Sequence, residues 1–413
     1  MKIALISDIH YGALSTTTDF AIEGEPLKIG SIQNEKSLYQ GLVDVLREEQ
    51  PDYLFVAGDI TSSGSPLEFK YCQQKILELG QGSNIKEENI IYCLGNHDID
   101  WRITKLVDEY KSNPDINYSH EDMTYINENY NKLAYSWPKS ENMISQYYSD
   151  EYELPLTGAI EKDDCIVFVL NSGHLCTNDQ KYKHGCLSAS QFDWFKNTIK
   201  KYEQSDKAKF VLLHHHPCNY PYPITGLDIS MLEEGGELIQ LCGESGIDLI
   251  LHGHRHHPKA ITKYETNWKR HVTYVCSGSL SVNASHRLHG SIPNMFHIIE
   301  YERYDKIVLK NYLYSPATGW SLIKENCPET PVDGVMFLGK VVTDEVAINL
   351  LKNLPKNESI KYRSLSDELR YISLNKLNEL VGEIHGSDSV VHGFFPEDVF
   401  IFKPKGGEEH AKD

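Results

Sequence analysis

Seven short apolar runs punctuate the first 300 residues, and several of the stretches between them are amphipathic. The runs are IALIS (3–7), YLFVAG (53–58), IIYCLG (90–95), IVFVLNS (166–172), FVLLHH (210–215), IDLILHG (247–253) and VTYVCSG (272–278). Between them stand NEKSLYQGLVDVLREE (34–49), SPLEFKYCQQKILELG (65–80), SASQFDWFKNTIKKYE (188–203) and GGELIQLCGESG (235–246), which read as helices. This alternation restricts the fold to a layered α/β arrangement with largely buried strands. In open α/β sheets ligands gather beyond the carboxyl ends of the strands, so those ends are the places to look for chemistry.

Five of the seven runs finish in unusual residues. In order they give Asp8-Ile9-His10, Gly58-Asp59, Gly95-Asn96-His97-Asp98, His214-His215-His216-Pro217 and Gly253-His254-Arg255-His256. Each alone is weak, because Asp-x-His arises often by chance. Together they supply carboxylate, imidazole and amide donors, a set that suits Mn, Fe or Zn as divalent ions. Two such ions about 3.5–4 Å apart clamp a phosphoryl group and generate a hydroxide near neutral pH. Their mutual repulsion calls for a carboxylate between them.

Composition narrows the class further. The nine cysteines (Cys72, Cys93, Cys165, Cys176, Cys186, Cys218, Cys242, Cys276 and Cys327) are odd in number, scattered and without a C-x-x-C pair, which argues against a disulfide framework and a cysteine-held zinc. A net charge of −19 disfavours a broad nucleic-acid surface, since that affinity comes from Lys and Arg neutralising phosphates. No apolar stretch is long enough for a membrane span, and MKIALISDIH is too short for a signal peptide before its first Asp, so a cytoplasmic protein is expected.

The five blocks, in this order, resemble the calcineurin-like metallophosphoesterases, and the resemblance covers roughly residues 1–300. It implies a four-layer α/β/β/α sandwich. It also implies one ion on Asp8, His10 and His256, another on Asn96, His215 and His254, and Asp59 as the bridge. His97 would be the general acid, with a carboxylate such as Asp98 orienting it. The family's His-x-Pro pattern selects His215; a strand ending one residue earlier would present His214 instead, and His216 is the least favoured of the three. Gly58, Gly95 and Gly253 are read as sharp turns that aim the next side chain. His252 and His257 read as neighbours of the ligands or exposed residues, His174 as a loop residue, and Arg255 as diverging from the ligands beside it.

By the same resemblance, the reaction is hydrolysis of a phosphoester by a metal-bridging hydroxide, with Mn favoured over Fe or Zn. The stretch GDITSSGSPLEF looks like the class III cyclic-nucleotide phosphodiesterase branch, although Ser65-Pro66 is also an ordinary helix start. The Gly-Asp-x-Val-Asp-Arg-Gly run of the family's protein phosphatases is absent, which favours a small phosphodiester over a phosphoprotein. The alternatives are a DNA nuclease of the SbcD type working with an ATPase partner, a phosphomonoesterase, and a non-catalytic scaffold. The last would show a broken ligand set, and no expected position is substituted here.

A catalytic domain over 1–315 and an extension over 316–413 are expected. The first contains a polar insertion at about 101–160 with 8 of the 25 tyrosines. The extension reads as largely helical: one helix after Thr343 carries Ala347, Leu350, Leu351 and Leu354 on a face, and a second runs from about Ser366 to Ile384. These faces either cover the catalytic domain or bind a protein partner. The tail KPKGGEEHAKD reads as disordered.

Overall fold

Strand formation follows the apolar runs closely. In the computed structural model they become β1 (Lys2–Ile6), β2 (Tyr53–Ala57), β3 (Ile90–Cys93), then, after β4 (Gly158–Glu161), β5 (Cys165–Val169), β6 (Ala208–Leu212) and β7 (Leu249–His252). After β8 (Lys259–Lys263), the seventh run is β9 (Val272–Cys276). The structure describes residues 1–24, 26, 36–100, 157–173, 184–218, 230–287, 292–324, 330, 332–339, 344–353, 359–361, 366, 369, 372, 374–385, 391–394 and 397–401. The tyrosine-rich insertion, His174 and the C-terminal tail lie outside the described residues, apart from the insertion's last four positions.

The four expected helices are present, and local sequence explains their starts. In α1 (Leu38–Glu49) the Ser37 side chain accepts from Gln40 N, and Asp19 takes the amides of Leu38 and Tyr39. In α2 (Pro66–Gly82) Ser65 caps and Pro66 fills the first helical position. The Ser-Pro-Leu-Glu stretch is thus a helix start. Ser188 caps α3 (Ala189–Lys201) in the same way, and α4 (Gly235–Ser245) ends on Gly246 at φ 76°.

The strands form two large sheets. One extends from the β1 side through β10 (Met295–Arg303), β11 (Lys306–Ser315) and β12 (Gly319–Leu322), in the order β12-β11-β10-β1-β2-β3, with β13 (Val335–Leu338) also on β11. The other has the order β4-β5-β6-β7-β9-β8. β1, β2 and β3 run parallel, as do β5, β6, β7 and β9.

Period-two alternation in the second sheet shows how the layers stack. Val167, Val169, Phe210, Leu212, Leu249 and Leu251 pack with the strands of the first sheet. The intervening Ile166, Phe168, Val211, Leu213 and Ile250 pack with Phe192 and Phe195 of α3 and Leu238 of α4. Phe210 bridges the sheets, its ring 6.2 Å from Phe55 and 5.3 Å from Tyr301. The result is the expected α/β/β/α sandwich.

The boundary expected at 315 falls inside the first sheet. β12 and β13 both pair with β11, and Trp320 packs on Phe296 at 4.9 Å while its indole N–H donates to Leu38 O. Among the described residues, the extension holds strands as well as the expected helices. Beside α5 (Asp344–Lys352) and α6 (Leu374–His385) it forms a three-stranded antiparallel sheet from β14 (Ser359–Lys361), β15 (Val391–Phe394) and β16 (Glu397–Ile401). Ala347 and Leu351 of α5 are buried as expected; Leu350 is only half-buried.

Candidate metal centre

The ends of β1, β2, β3, β6 and β7 meet at one edge of the sandwich. The loops there are locked together through their backbones: Asp8 N–H donates to Gly58 O at 3.0 Å, His10 N–H to Asp59 O at 2.9 Å, and Gly253 N–H to His214 O at 3.0 Å. Holding the side chains inward requires unusual backbone. Asp8 (φ 53°), His10 (48°), Asp59 (49°), His254 (74°) and His256 (51°) all adopt the left-handed conformation. Only Gln50 and Asn84 join them among described non-glycine residues. Such backbone costs roughly 1–3 kcal/mol per residue and gathers at functional sites.

Two of the three glycines serve space rather than turning. A Cβ on Gly95 would lie 2.2 Å from Asp59 Oδ1, and one on Gly253 would lie 1.8 Å from Ser7 Oγ. Neither has positive φ; of the three, only Gly58 does, at 83°.

Donor atoms converge in two sets. In the first, Asp8 Oδ2 is occupied by Ser7 Oγ–H at 2.6 Å and His254 N–H at 3.2 Å. Its Oδ1 points instead between His256 Nδ1 at 3.5 Å and His10 Nε2 at 3.8 Å. Asp8 Oδ1, both ring nitrogens of His10 and His256 Nδ1 are buried without a hydrogen-bond partner. Orphaned buried donors and acceptors are costly unless something else satisfies them, and a divalent cation fits this set.

In the second set, His254 Nδ1 lies 2.9 Å from Asn96 Oδ1 and 3.3 Å from His214 Nε2. Asp59 joins the two sets. Its Oδ1 accepts from His97 N–H at 2.8 Å, while Oδ2 lies 3.2 Å from His214 Nε2 and 3.6 Å from His10 Nε2. Asp8, His10 and His256 form one potential cation-binding group, and Asp59, His214 and His254 another.

His214, rather than the expected His215, is the ring grouped with Asp59 and His254. Its Nδ1 faces the Ala57 carbonyl at 2.7 Å and must donate there, which directs Nε2 to the shared space. The His215 Nδ1 instead faces Ser172 Oγ at 2.9 Å. Asp98 also differs from its expected role. Its carboxylate accepts the amides of Ile60, Thr61 and Gly95 and the Thr61 hydroxyl, so it braces the β2 and β3 loops. What holds the His97 ring is the Ser62 carbonyl, 3.0 Å from Nδ1.

Electrostatics divides the imidazoles of the site. Burial holds His10, His215 and His254 well below the usual imidazole range and takes His256 down to about 4, so these rings are neutral. For His214, burial acts downward, but the charge and hydrogen bond of Asp59 outweigh it and raise the group to about 9, so this ring must release a proton to take an ion. Burial raises Asp98 to about 7 with the Asp59 charge acting the same way, against the amides that favour its ionised form.

One supporting segment escaped the sequence reading. After β9, Leu280 N–H donates to Ser7 O at 2.9 Å, Ser279 Oγ–H to Asp8 O at 2.9 Å, and Ser281 Oγ–H to Ile9 O. This run fixes the Asp8-Ile9-His10 turn from behind. Its only signal in the sequence is SGSLS at a strand end.

A layered fold with paired donor sets at the carboxyl edge of its strands defines a metal-dependent phosphoesterase. Residues 1–258 match the profile of calcineurin-like phosphoesterases, and the chain belongs to that family, whose members bind a dinuclear divalent metal centre. No curated protein matches the sequence. Similar solved structures include a purple acid phosphatase from yellow lupin (Lupinus luteus) seeds, at 12% identity and TM-score 0.47, covering 76% of this chain and 51% of that one. Another is a dimetal phosphatase from Danio rerio, at 13% identity and TM-score 0.44, covering 75% and 95%. The chain thus spans about half the length of the lupin enzyme. Likenesses at these TM-scores carry no argument about substrate. Among the described residues, no helix is long and apolar enough to cross a membrane.

Proposed function

We propose that the chain hydrolyses small phosphodiesters, using Asp8, His10, His256 and Asn96, His214, His254 to hold two divalent ions that share Asp59. The observation that carries this reading is the position of Asp59 Oδ2, within 3.6 Å of a nitrogen from each set. Mn is the pair proposed, with Fe or Zn also compatible with oxygen and imidazole donors without thiolate. When bound, the ions supply charge neutralisation for a phosphoryl group and activate water at neutral pH.

The remaining steps belong to the protein. His97 Nδ1–H is tied to the Ser62 carbonyl, which leaves Nε2 as the atom that passes a proton to the departing alkoxide. Asn96 contributes its amide oxygen beside His254. The diester preference is supported at Ser63, which stands where the family's protein phosphatases carry Arg. There the Ser63 amide and hydroxyl both donate to Glu68, at 2.8 and 2.9 Å. A guanidinium suits a doubly charged monoester, whereas a singly charged diester needs less positive charge.

The test compares Mn-reconstituted enzyme on bis-p-nitrophenyl phosphate, p-nitrophenyl phosphate and single-stranded DNA. The diester reading expects kcat/KM for the first to exceed that for the second by at least about tenfold. The reverse order assigns a phosphomonoesterase, and DNA cleavage above both assigns the nuclease.

A further inference from the structure

Three consecutive histidines at 214–216 offer three imidazoles to one ion, and the group that distinguishes them lies on a different strand. Ser172 follows β5 and is completely buried. Its Oγ accepts the backbone N–H of His214 at 3.3 Å and of His215 at 3.0 Å, and lies 2.9 Å from His215 Nδ1. A hydroxyl has two lone pairs and one proton. With both lone pairs taken by amides, its proton goes to His215 Nδ1.

That assignment fixes the tautomer of the neighbouring ring. Neutral His215 accepts at Nδ1 and so carries its proton on Nε2, where it has no lone pair for a cation. His214 has the opposite arrangement, because the Ala57 carbonyl can only accept and so places the proton on Nδ1. The two amide bonds also set where the β6 backbone turns, and therefore which side chain faces Asp59. Ser172 is itself held in place: Asn171 N–H donates to Gln191 Oε1 at 2.7 Å, and the Gln191 amide returns a bond to Asn171 O at 3.2 Å.

We propose that Ser172 is a positioning residue that selects His214 over His215 as the imidazole for the second ion. The proposal rests on the dinuclear reading above. It goes further in assigning the choice between adjacent histidines to one hydroxyl that touches neither ion nor substrate.

The experiment titrates chelator-treated, full-length protein with Co2+, reading stoichiometry and visible absorption for the parent, Ser172→Ala, His214→Gln and His215→Gln. Thermal unfolding of each metal-free form runs alongside. The parent is expected to bind two ions. Ser172→Ala should bind one as the parent does and the other about 10- to 100-fold more weakly, with a changed absorption band. His215→Gln should keep both ions, and His214→Gln only one. A merely structural role for Ser172 would lower the unfolding temperature and leave both affinities alike, which would overturn the proposal. So would loss of the second ion from His215→Gln rather than His214→Gln, a comparison that decides the matter even if Ser172→Ala does not fold. A parent that binds fewer than two ions overturns the dinuclear reading itself, a result distinct from both.

Discussion

Five side chains of the candidate metal centre stand on left-handed backbone. Each carboxylate has one oxygen committed to the protein and the other turned inward, so its orientation is set before any ion arrives. Asp59→Asn keeps the shape but replaces one carboxylate oxygen with an amide and removes the charge between the two sets. Turnover of bis-p-nitrophenyl phosphate should fall on the order of 10³-fold, with little change in the thermal unfolding of the metal-free protein. Asp98→Asn should behave in the opposite way. Its new amide hydrogens would face backbone donors, so denaturant unfolding should show a loss of about 2–4 kcal/mol, a cost that an orienting role towards His97 alone would not produce. His97→Ala separates the proton-donor role: it should slow alkyl diesters far more than p-nitrophenyl diesters, and equal losses would remove that role.

Among the elements, burial decides what could be read from the sequence. β1, β2, β3, β5, β6, β7 and β9 were legible because buried parallel strands read as continuous apolar runs. β10 and β11 were not assigned, although part of β11 stands out in VLKNYLYSP; both pair antiparallel inside the sheet, and β11 alternates buried with half-exposed positions instead of reading as one apolar run. The ligand blocks were legible for the same reason as the strands, since each follows one directly. His214 was not resolved from His215, because the end of β6 is set by Ser172 and Ala57, 42 and 157 residues away in sequence. Asp98 was misread because a carboxylate beside His97 looks like its partner until its own four donors are seen. At this scale, Gly95→Ala is the informative change. Its Cβ would press on both the Asp59 carboxylate and its amide, so bound metal, measured by elemental analysis, should fall below the parental content while the far sheet stays folded by circular dichroism.

For the whole molecule, the sandwich extends beyond the point where sequence composition changes. A chain ending at 315 loses Trp320 and both outer partners of β11, whereas one ending at 339 keeps them. The shorter chain should be insoluble, and the longer one soluble and active; equal solubility would place the true edge of the catalytic unit nearer 315. Acid stability is also a property of the whole core. His297 is fully used as a neutral ring, accepting Gly278 N–H at Nε2 and facing Asn311 Oδ1 with Nδ1. Burial takes it from 6.5 down to about 4 despite the Asn311 bond. Its contribution is therefore present above pH 6.5 and lost as pH falls through about 4, a span worth on the order of 3 kcal/mol. Urea midpoints of chelated protein at pH 7.5 and 4.5 should differ more for the parent than for His297→Gln.

The central claim, two ions sharing Asp59, is tested most directly by titrating metal-stripped enzyme with Mn2+ while following hydrolysis of bis-p-nitrophenyl phosphate. The account predicts that activity rises to its plateau only as the second ion binds each chain. Full activity with one ion, or with none, would contradict it.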